Sequence, residues 1–283
     1  MRSRAVLPDA RILLDLPGNK IRIANLCNPI RFEVGDVFEM SSEQLSYPDF
    51  FSHLHVGDKI TANDAIYVFE VISLRKSSAR FRSLSTGLLT NGKGLHIAGI
   101  HGGMPFLFES DLAFMKVATE LKIDYLGLSF IRNVDDVQQA KAVLQKLDNK
   151  YIQIISKIET SSAVANLTDI FDEADIILID RGDLSCDVGM LEMPRHQDYI
   201  IKMARRAGKS IFLATQFLKN MVQFPLPSIA EEVDLYNTLK TGIQGIQLSE
   251  ETAIGNYPVQ CVSHVFDMYQ YLVKSDQLDL LIV

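Results

Sequence analysis

The repeat of short apolar runs, each followed by a polar side chain, is the feature that most constrains the fold of this chain. After position 107, such runs alternate with stretches of helical periodicity. Five runs lie there: Tyr125–Phe130, Ile152–Ile158, Ile176–Ile179, Ser210–Ala214 and Gly245–Leu248. The helical stretches between them are Val134–Leu147, Ser162–Phe171, His196–Ala207 and Ile229–Thr241. This alternation is typical of buried parallel strands joined by crossover helices.

A segment with a different residue pattern separates a sixth apolar run, Arg11–Asp15, from the other five. Between Ile23 and Gly92 the chain reads as short strands, such as Arg31–Val34 and Ile66–Val71. Their turn signals are Gly35-Asp36, Gly57-Asp58 and Asn91-Gly92. We therefore predict a first barrel strand in residues 1–23, an inserted β lid domain in residues 24–93 and the remainder of a barrel in residues 94–283.

The polar residues at the strand ends favour a barrel over a doubly wound sheet. Their successive spacings are 30, 24, 32 and 36 residues, for Ser129, Glu159, Asp183, Thr215 and Glu251. Barrel active sites lie at the carboxyl ends of the strands, and the sequence has neither a GxGxxG motif nor a Walker A loop. The predicted fold is an α/β TIM (β/α)8-type barrel with an inserted small β-barrel lid. Six strands make the barrel incomplete within the single chain.

One group of strand ends points to metal chemistry. Lys157 and Glu159 are two residues apart in a strand, so their side chains project to the same side. Asp183 lies 24 residues after Glu159, at the end of the next strand. Two carboxylates beside a lysine can hold a divalent cation next to a fixed positive charge. That arrangement suits chemistry on an anionic, oxygen-rich substrate.

Composition excludes several classes of function. The net charge of −7 and the absence of a basic stripe argue against a nucleic-acid partner. No apolar span of 18 residues occurs, so we expect no membrane-spanning helix, and the first ten residues lack the apolar core of a signal peptide. Three widely spaced cysteines fit a reducing, cytoplasmic location better than a disulfide framework.

Seven segments carry a resemblance through their order and spacing. They read LDLPGNKIR (14–22), KGLHIAG (93–99), SFIR (129–132), SKIE (156–159), RGDL (181–184), ATQ (214–216) and SEETAIGNYP (249–258). In this order they resemble the motifs of the pyruvate kinase family over almost the whole chain. The resemblance implies the same fold and a phosphotransferase that acts on phosphoenolpyruvate, pyruvate or a close 2-oxo acid.

The resemblance implies roles for the residues around Lys157. Glu159 and Asp183 would bind Mg²⁺ or Mn²⁺, and Lys157 would stabilise charge on the transferring phosphoryl group or on an enolate oxygen. Arg181 and Gly182 would contact the substrate, whose carboxylate would lie on backbone N–H groups at a helix N-terminus. Thr215 would hydrogen-bond the substrate near its methylene; capping the following helix is the alternative reading of this residue.

The resemblance also implies a nucleotide site and a potassium site. Arg22 and Lys93 would face the phosphates of ADP or ATP at the lid cleft, or would be solvated lid charges. Asp15 would belong to a K⁺ site. The family's RxNxSHG segment and its C-terminal effector-binding domain are not in this sequence. We therefore expect Asp15 to lack the asparagine and serine partners of that K⁺ site.

Three substitutions within the motifs make the expected site more anionic. Asp180 replaces an alanine, Glu250 adds an acid to the SGET motif, and Ile229 replaces an arginine. A unit negative charge at about 6 Å disfavours a polyphosphate by roughly 3 kcal/mol at an effective dielectric constant of about 20. Binding of ADP is therefore less expected than metal-assisted enolate chemistry.

Two other functions remain open from the sequence. Residues 158–160 and 163–166 are also similar to metal-dependent pyruvate aldolases and oxaloacetate decarboxylases of the HpcH/HpaI type, although Lys157 and the lid are features of pyruvate kinases. A non-catalytic binding or regulatory protein that retains the metal site is the third reading.

The apolar segment Leu278–Val283 reads as a strand. It could close the barrel in its own chain or be exchanged in a homo-oligomer.

Overall fold

The computed structural model describes residues 9–63 and 65–275, with fourteen strands and nine α-helices in those ranges. The strands β1 to β14 are Leu13–Asp15, Ile21–Arg22, Ile30–Phe32, Val37–Ser41, Lys59–Ala62, Tyr67–Arg75, Ser78–Ser83, Gly87–Leu89, Gly94–His96, Tyr125–Leu128, Gln153–Ile158, Ile176–Asp180, Ser210–Ala214 and Gly245–Gln247. The helices α1 to α9 are Glu109–Glu120, Val134–Lys146, Ser161–Ala165, Leu167–Glu173, Arg181–Val188, Met193–Arg206, Ile229–Lys240, Glu250–Ala253 and Pro258–Lys274.

The six runs identified in the sequence form one parallel sheet. Its strand order is β1-β10-β11-β12-β13-β14, so the strand that precedes the insertion lies beside the first strand that follows it. Within the described residues, no strand pairs with the outer edge of β1 or of β14. The predicted class is confirmed: an α/β fold with an incomplete (β/α) barrel and a second, antiparallel domain.

The alternation of side chains along the central strands separates two apolar layers. Ile154 and Ile158 of β11 belong to the large core between the sheet and the helices. Ile155 lies on the opposite face, in a small cluster with Ile176 and Leu178 of β12. Because the period of a strand is two residues, Lys157 and Glu159 continue the Ile155 face, and Asp180 continues the Ile176–Leu178 face. These three polar residues therefore project inside the barrel, at the carboxyl ends of their strands.

The observed helices differ from the predicted stretches at a few points. The stretch Ser162–Phe171 is divided into α3 and α4, which meet at Asn166. Helix α6 begins at Met193, three residues before the predicted start, with Pro194 in its first turn; proline is well tolerated there because its missing N–H would have no intrahelical partner. Helix α1 was not among the predicted helices, although the Asp111 carboxylate in its first turn accepts a hydrogen bond from the backbone N–H of Phe108.

The lid is an antiparallel sheet with its own core. Its strand order is β2-β9-β5-β6-β7-β4, and β3 pairs with β8 as a separate ribbon. Phe32 contacts Phe38 and Phe69 at ring-centroid distances of 6.2 and 5.0 Å, and Phe38 contacts Phe81 at 5.7 Å. Phe32, Phe69 and Phe81 are at most 2% exposed and belong to a cluster separate from that of the barrel. Aromatic burial of this size is the main stabilising contribution available to a small β domain.

A buried carboxylate joins the lid to the barrel. Asp187 of α5 accepts hydrogen bonds from the backbone N–H groups of Gly99 (2.9 Å) and Ser161 (2.6 Å). His96 Nε2 of β9 lies 3.3 Å from Asp187 Oδ1. Burial would raise the pKa of Asp187, but these donors outweigh it and hold that pKa below its usual value. Asp187 therefore remains ionised and fixes the exit of the lid against the barrel.

His101 lies at the same junction and is held in its neutral form. Its ring stacks on Phe130 with a centroid distance of 4.3 Å, and Nδ1 lies 2.8 Å from Asn19 Oδ1. Burial first, and then the neighbouring His96, lower the pKa of His101 to about 3. Since the amide oxygen can only accept, the proton of the neutral ring resides on Nδ1.

The C-terminal segment Leu278–Val283 lies outside the described residues, so its predicted strand and its exchange between subunits stay predictions. No helix in the described part of the chain combines the length and the apolar character needed to cross a bilayer.

The separate lid core leads to a prediction about local stability. Phe69→Ala should destabilise the lid by about 3–5 kcal/mol, because it removes a buried aromatic ring. Hydrogen exchange followed by mass spectrometry should show faster exchange in β4–β7, with protection retained in β10–β12. Phe114→Ala is the matched control, because Phe114 is 45% exposed on α1. Equal loss of protection in both sheets would contradict separate cores.

The buried neutral His101 predicts a loss of stability in mild acid. Its folded pKa of about 3 lies below the unfolded value of 6.5, so only the unfolded state takes up the proton between these pH values. The free energy of unfolding should fall by about 2 kcal/mol between pH 7 and pH 5 through this residue.

Urea unfolding at both pH values measures this effect. His101→Gln should remove that part of the pH dependence, whereas His55→Gln, at an exposed ring, should retain the wild-type dependence. A His101→Gln variant with the full wild-type slope would show that His101 is not the responsible group.

Candidate active site at the carboxyl ends of the barrel strands

Lys157 is the centre of the polar cluster inside the barrel. Its Nζ lies 2.8 Å from Glu159 Oε1, 3.0 Å from Asp15 Oδ2 and 3.6 Å from Asp180 Oδ2. It also lies 3.3 Å from Ser129 Oγ, and the lysine side chain is only 8% exposed. Burial alone would lower the pKa of Lys157, but the three carboxylates outweigh burial and raise it well above its usual value. The amine is therefore a permanent positive charge.

Gly127 allows Asp15 to reach this lysine. Asp15 on β1 is the parallel partner of Gly127 on β10. A Cβ atom at Gly127 would lie 2.5 Å from Asp15 Oδ1, closer than any real Cβ contact. The glycine in this strand is thus required for the carboxylate to pass over β10 and contact Lys157 on β11. Asp15, which the resemblance implies for potassium binding, contacts the Lys157 ammonium.

Glu159 is fully buried, and its two oxygens have different environments. Oε2 accepts a hydrogen bond of 2.6 Å from the backbone N–H of Phe130. Oε1 forms an ion pair with Lys157 Nζ at 2.8 Å and accepts no hydrogen bond of good geometry from the described residues. Burial raises the pKa of Glu159 to about 8; Lys157 opposes this shift, while Asp180 and Asp183 add to it. A buried carboxylate oxygen that accepts no hydrogen bond retains lone pairs with which it can coordinate a bound cation.

Three carboxylates converge closely enough to share one cation. Glu159, Asp180 and Asp183 each offer an oxygen, and these atoms lie within 4.8 Å of one another. Such a set of oxygens suits Mg²⁺ or Mn²⁺, and Glu159 Oε1, which accepts no hydrogen bond from the described residues, is available to coordinate one. The structure therefore brings the two predicted metal ligands, Glu159 and Asp183, together with Lys157, and adds Asp180 to them.

Asp183 has a positive partner that the sequence analysis did not identify. Lys20 Nζ, from the segment between β1 and β2, lies 2.6 Å from Asp183 Oδ1. Lys20 also lines a narrow cleft between lid and barrel, together with His96, His101, Asp183 and Cys186. Lys20 lies in the LDLPGNKIR segment, but its partner Asp183 is 163 positions away in the sequence. No local pattern could have shown that pair.

The N-terminus of α5 is occupied by groups of the protein itself. The backbone N–H of Gly182 donates to Thr215 Oγ1 at 3.0 Å, and that of Asp183 donates to Asp180 Oδ1 at 3.4 Å. The Thr215 hydroxyl in turn donates to Asp180 Oδ1 at 3.3 Å. The N–H groups implied for a substrate carboxylate thus already have acceptors, one of which is itself a carboxylate.

Arg181 holds Thr215 in a strained conformation. The φ angle of Thr215 is +73°, a region that a β-branched residue rarely adopts. The Arg181 guanidinium donates twice to the Thr215 carbonyl, at 3.1 and 2.8 Å, and once to Asp234 at 2.7 Å. It also stacks on Phe217, 3.9 Å from the ring centroid. These contacts define a positioning role for Arg181, and strain of this kind is often stored at functional sites.

The two residues predicted to contact nucleotide phosphates flank residues that line the cleft, and their role stays a prediction. Arg22 is exposed on β2 and donates to the carbonyl of Gly92 at 3.0 Å. Lys93 accepts a backbone hydrogen bond from Ile23 through its carbonyl. Neither side chain is among those that line the cleft between lid and barrel.

The three substitutions that add negative character have different outcomes in the structure. Glu250 forms an ion pair with Lys219 and is half exposed, so its charge is balanced outside the Lys157 cluster. Ile229, at the position of the family's arginine, is 85% exposed at the start of α7. Asp180 alone joins the cluster. Its position follows from the period of β12, since Ile176 and Leu178 already point into the barrel.

The chain matches the family model described as "Pyruvate kinase, barrel domain" over residues 3–262. It is 33% identical to a pyruvate kinase of Geobacillus stearothermophilus over 278 residues, covering 94% of this chain and 47% of the relative. It is 29% identical to that of Chlamydia muridarum (97% and 59%) and 30% identical to that of Clostridium perfringens (88% and 55%). The chain therefore spans about half of the length of these relatives. On this match along most of its sequence, the chain belongs to the pyruvate kinase family.

Proposed function

We propose that this chain is a pyruvate kinase-like enzyme that depends on Mg²⁺ or Mn²⁺. It acts on phosphoenolpyruvate, pyruvate or a close 2-oxo acid, with phosphoryl transfer that passes through enolpyruvate. The observation that carries the proposal is the buried Lys157 ammonium beside Glu159 and the carboxylates of the next strand. A fixed positive charge next to converging carboxylates suits a substrate on which negative charge develops at oxygen.

Glu159 and Asp183 would hold the divalent cation, with Asp180 beside them. When bound, the cation would supply Lewis-acid polarisation of the substrate's carbonyl oxygen. Glu159 is positioned from both sides, by the Phe130 N–H on one oxygen and by Lys157 near the other. Side chains held in this way require little reorganisation when a ligand arrives, which is how preorganised sites gain their strength.

Lys157 would carry the electrostatic part of catalysis. Because its raised pKa keeps it protonated, it offers positive charge to the enolate oxygen or to the transferring phosphoryl group. Burial keeps the local dielectric low, so this charge acts more strongly than it would in water. In the direction of pyruvate formation, the phosphoryl group passes from phosphoenolpyruvate to a nucleoside diphosphate, and the enolpyruvate that remains takes up a proton at its methylene carbon.

A pyruvate-enolate lyase or decarboxylase is the second candidate, and the pairing of the nearby cations favours it. Lys20 is paired with Asp183, and the Arg181 guanidinium is bonded to Thr215 and Asp234. Asp180 adds a negative charge next to these groups. A polyphosphate needs cations that can turn towards it, whereas enolisation of a 2-oxo acid needs the charge of Lys157 and the metal at the carbonyl oxygen, and water as the base that takes the methyl proton.

Enolisation gives a direct test of the shared chemistry. The protein with Mg²⁺ and pyruvate in D₂O should replace the methyl protons of pyruvate by deuterium, as followed by NMR. Lys157→Met should slow this exchange at least 100-fold, because transition-state stabilisation by one buried charge is worth about 3 kcal/mol. Glu159→Gln should lower it similarly.

Lys141→Met is the matched control, since Lys141 pairs with Glu173 on the outer helices and its loss should leave the exchange rate unchanged. Exchange that persists in Lys157→Met and Glu159→Gln, with both variants folded by circular dichroism, would overturn the proposed site. Phosphoenolpyruvate with ADP then separates the candidates: pyruvate formation identifies the transferase, and exchange without transfer identifies enolate chemistry alone.

A further inference from the structure

Asp180 occupies an unusual position among the carboxylates of the site. It is the last residue of β12 and the N-cap of α5, and its side chain is 10% exposed. One oxygen, Oδ1, accepts from the Asp183 N–H and the Thr215 hydroxyl. The other, Oδ2, lies 3.6 Å from Lys157 Nζ. A carboxylate is thus fixed between a helix N-terminus and a buried ammonium, both of which attract anions.

The same carboxylate also faces the candidate cation position. Its nearest oxygen lies within 4.8 Å of oxygens of Glu159 and Asp183. Glu159 Oε1 is buried beside it, forms an ion pair with the same Lys157 ammonium at 2.8 Å and accepts no hydrogen bond of good geometry from the described residues. Glu159 Oε1 and Asp180 Oδ2 thus approach one ammonium from neighbouring strands, and the spacing of the three carboxylates is short enough for one cation to contact all of them.

We propose that Asp180 is a built-in carboxylate that serves as a third protein ligand of the divalent cation. It takes the place at the α5 N-terminus that the carboxylate of an anionic substrate would need. The chain would therefore bind its divalent cation in the absence of substrate and would bind 2-oxo acids weakly. The second consequence rests on the proposed function, whereas the first does not.

The balance of charge supports both consequences. Two ammonium groups, Lys157 and Lys20, meet four carboxylates, Asp15, Glu159, Asp180 and Asp183. When a bound cation has displaced the proton that the raised pKa of Glu159 favours, all four carboxylates are ionised, and the one divalent cation neutralises the two negative charges of the cluster. A cation therefore enters a favourable field, but an anionic substrate then meets no net positive charge. Removal of the Asp180 charge would leave the metal-loaded cluster with one positive charge and attract an anion.

Mn²⁺ titration by calorimetry, without any substrate, tests the ligand role. Asp180→Asn should weaken Mn²⁺ binding at least tenfold, and water proton relaxation should show one more water on the bound Mn²⁺. The asparagine oxygen can still accept from Asp183 and Thr215, so the helix cap is kept. Asp180→Ala should show the same loss if the asparagine variant folds poorly.

Asp15→Asn is the matched control for charge alone. Asp15 also contacts Lys157, at 3.0 Å, but lies outside the three-carboxylate group. Asp15→Asn should raise the dissociation constant for Mn²⁺ by a factor at least five times smaller than the factor for Asp180→Asn. Equal losses in the two variants, or wild-type affinity in Asp180→Asn, would overturn the ligand role.

Oxalate, a small dicarboxylate, tests the second consequence on protein saturated with Mn²⁺. Asp180→Asn should bind oxalate at least tenfold more tightly than the wild type, because its loaded site carries one more positive charge and the α5 N-terminus no longer holds an anion. Unchanged or weaker oxalate binding would overturn this consequence. Failure of the proposed function, seen as no methyl exchange, would leave the Mn²⁺ result unaffected, so the two outcomes are distinguishable.

Discussion

The arrangement of polar side chains at the carboxyl ends of the barrel strands depends on the buried ion pairs of Lys157. An unpaired charge in that position would be costly, and removal of its partners would leave an uncompensated buried ion. The carboxylates come from β1, β11 and β12, so one charge ties together strands separated by the lid in sequence. Gly127 makes the contact from β1 possible, because any side chain there would collide with Asp15.

Much of the fold could be predicted because apolar periodicity is a local signal. The runs at Ile152–Ile158 and Ile176–Ile179 became neighbouring strands of one parallel sheet, and the alternation within them placed Lys157 and Glu159 on one face. The division of the stretch Ser162–Phe171 at Asn166 was not predicted, since a polar residue in a helical pattern does not by itself show where two short helices meet.

The parts of the site that could not be predicted are those made by residues far apart in sequence. The pair Lys20–Asp183 and the junction of His96 with Asp187 depend on how the lid exit lies against α5. Glu250, whose charge is balanced by Lys219, could not be distinguished by sequence pattern from Asp180, which joins the cluster. The two-residue period of β12 places the Asp180 side chain on the same face as Ile176 and Leu178. Only the structure shows that this face is the inner one.

We expect Glu159, Asp180 and Asp183 to form one cation position beside Lys157. Anomalous diffraction from crystals soaked in Mn²⁺, without substrate, tests it most directly. The expected result is one strong anomalous peak about 2.2 Å from an oxygen of each of the three carboxylates. A peak that contacts Glu159 and Asp183 but not Asp180, or no peak at this end of the barrel, would contradict it.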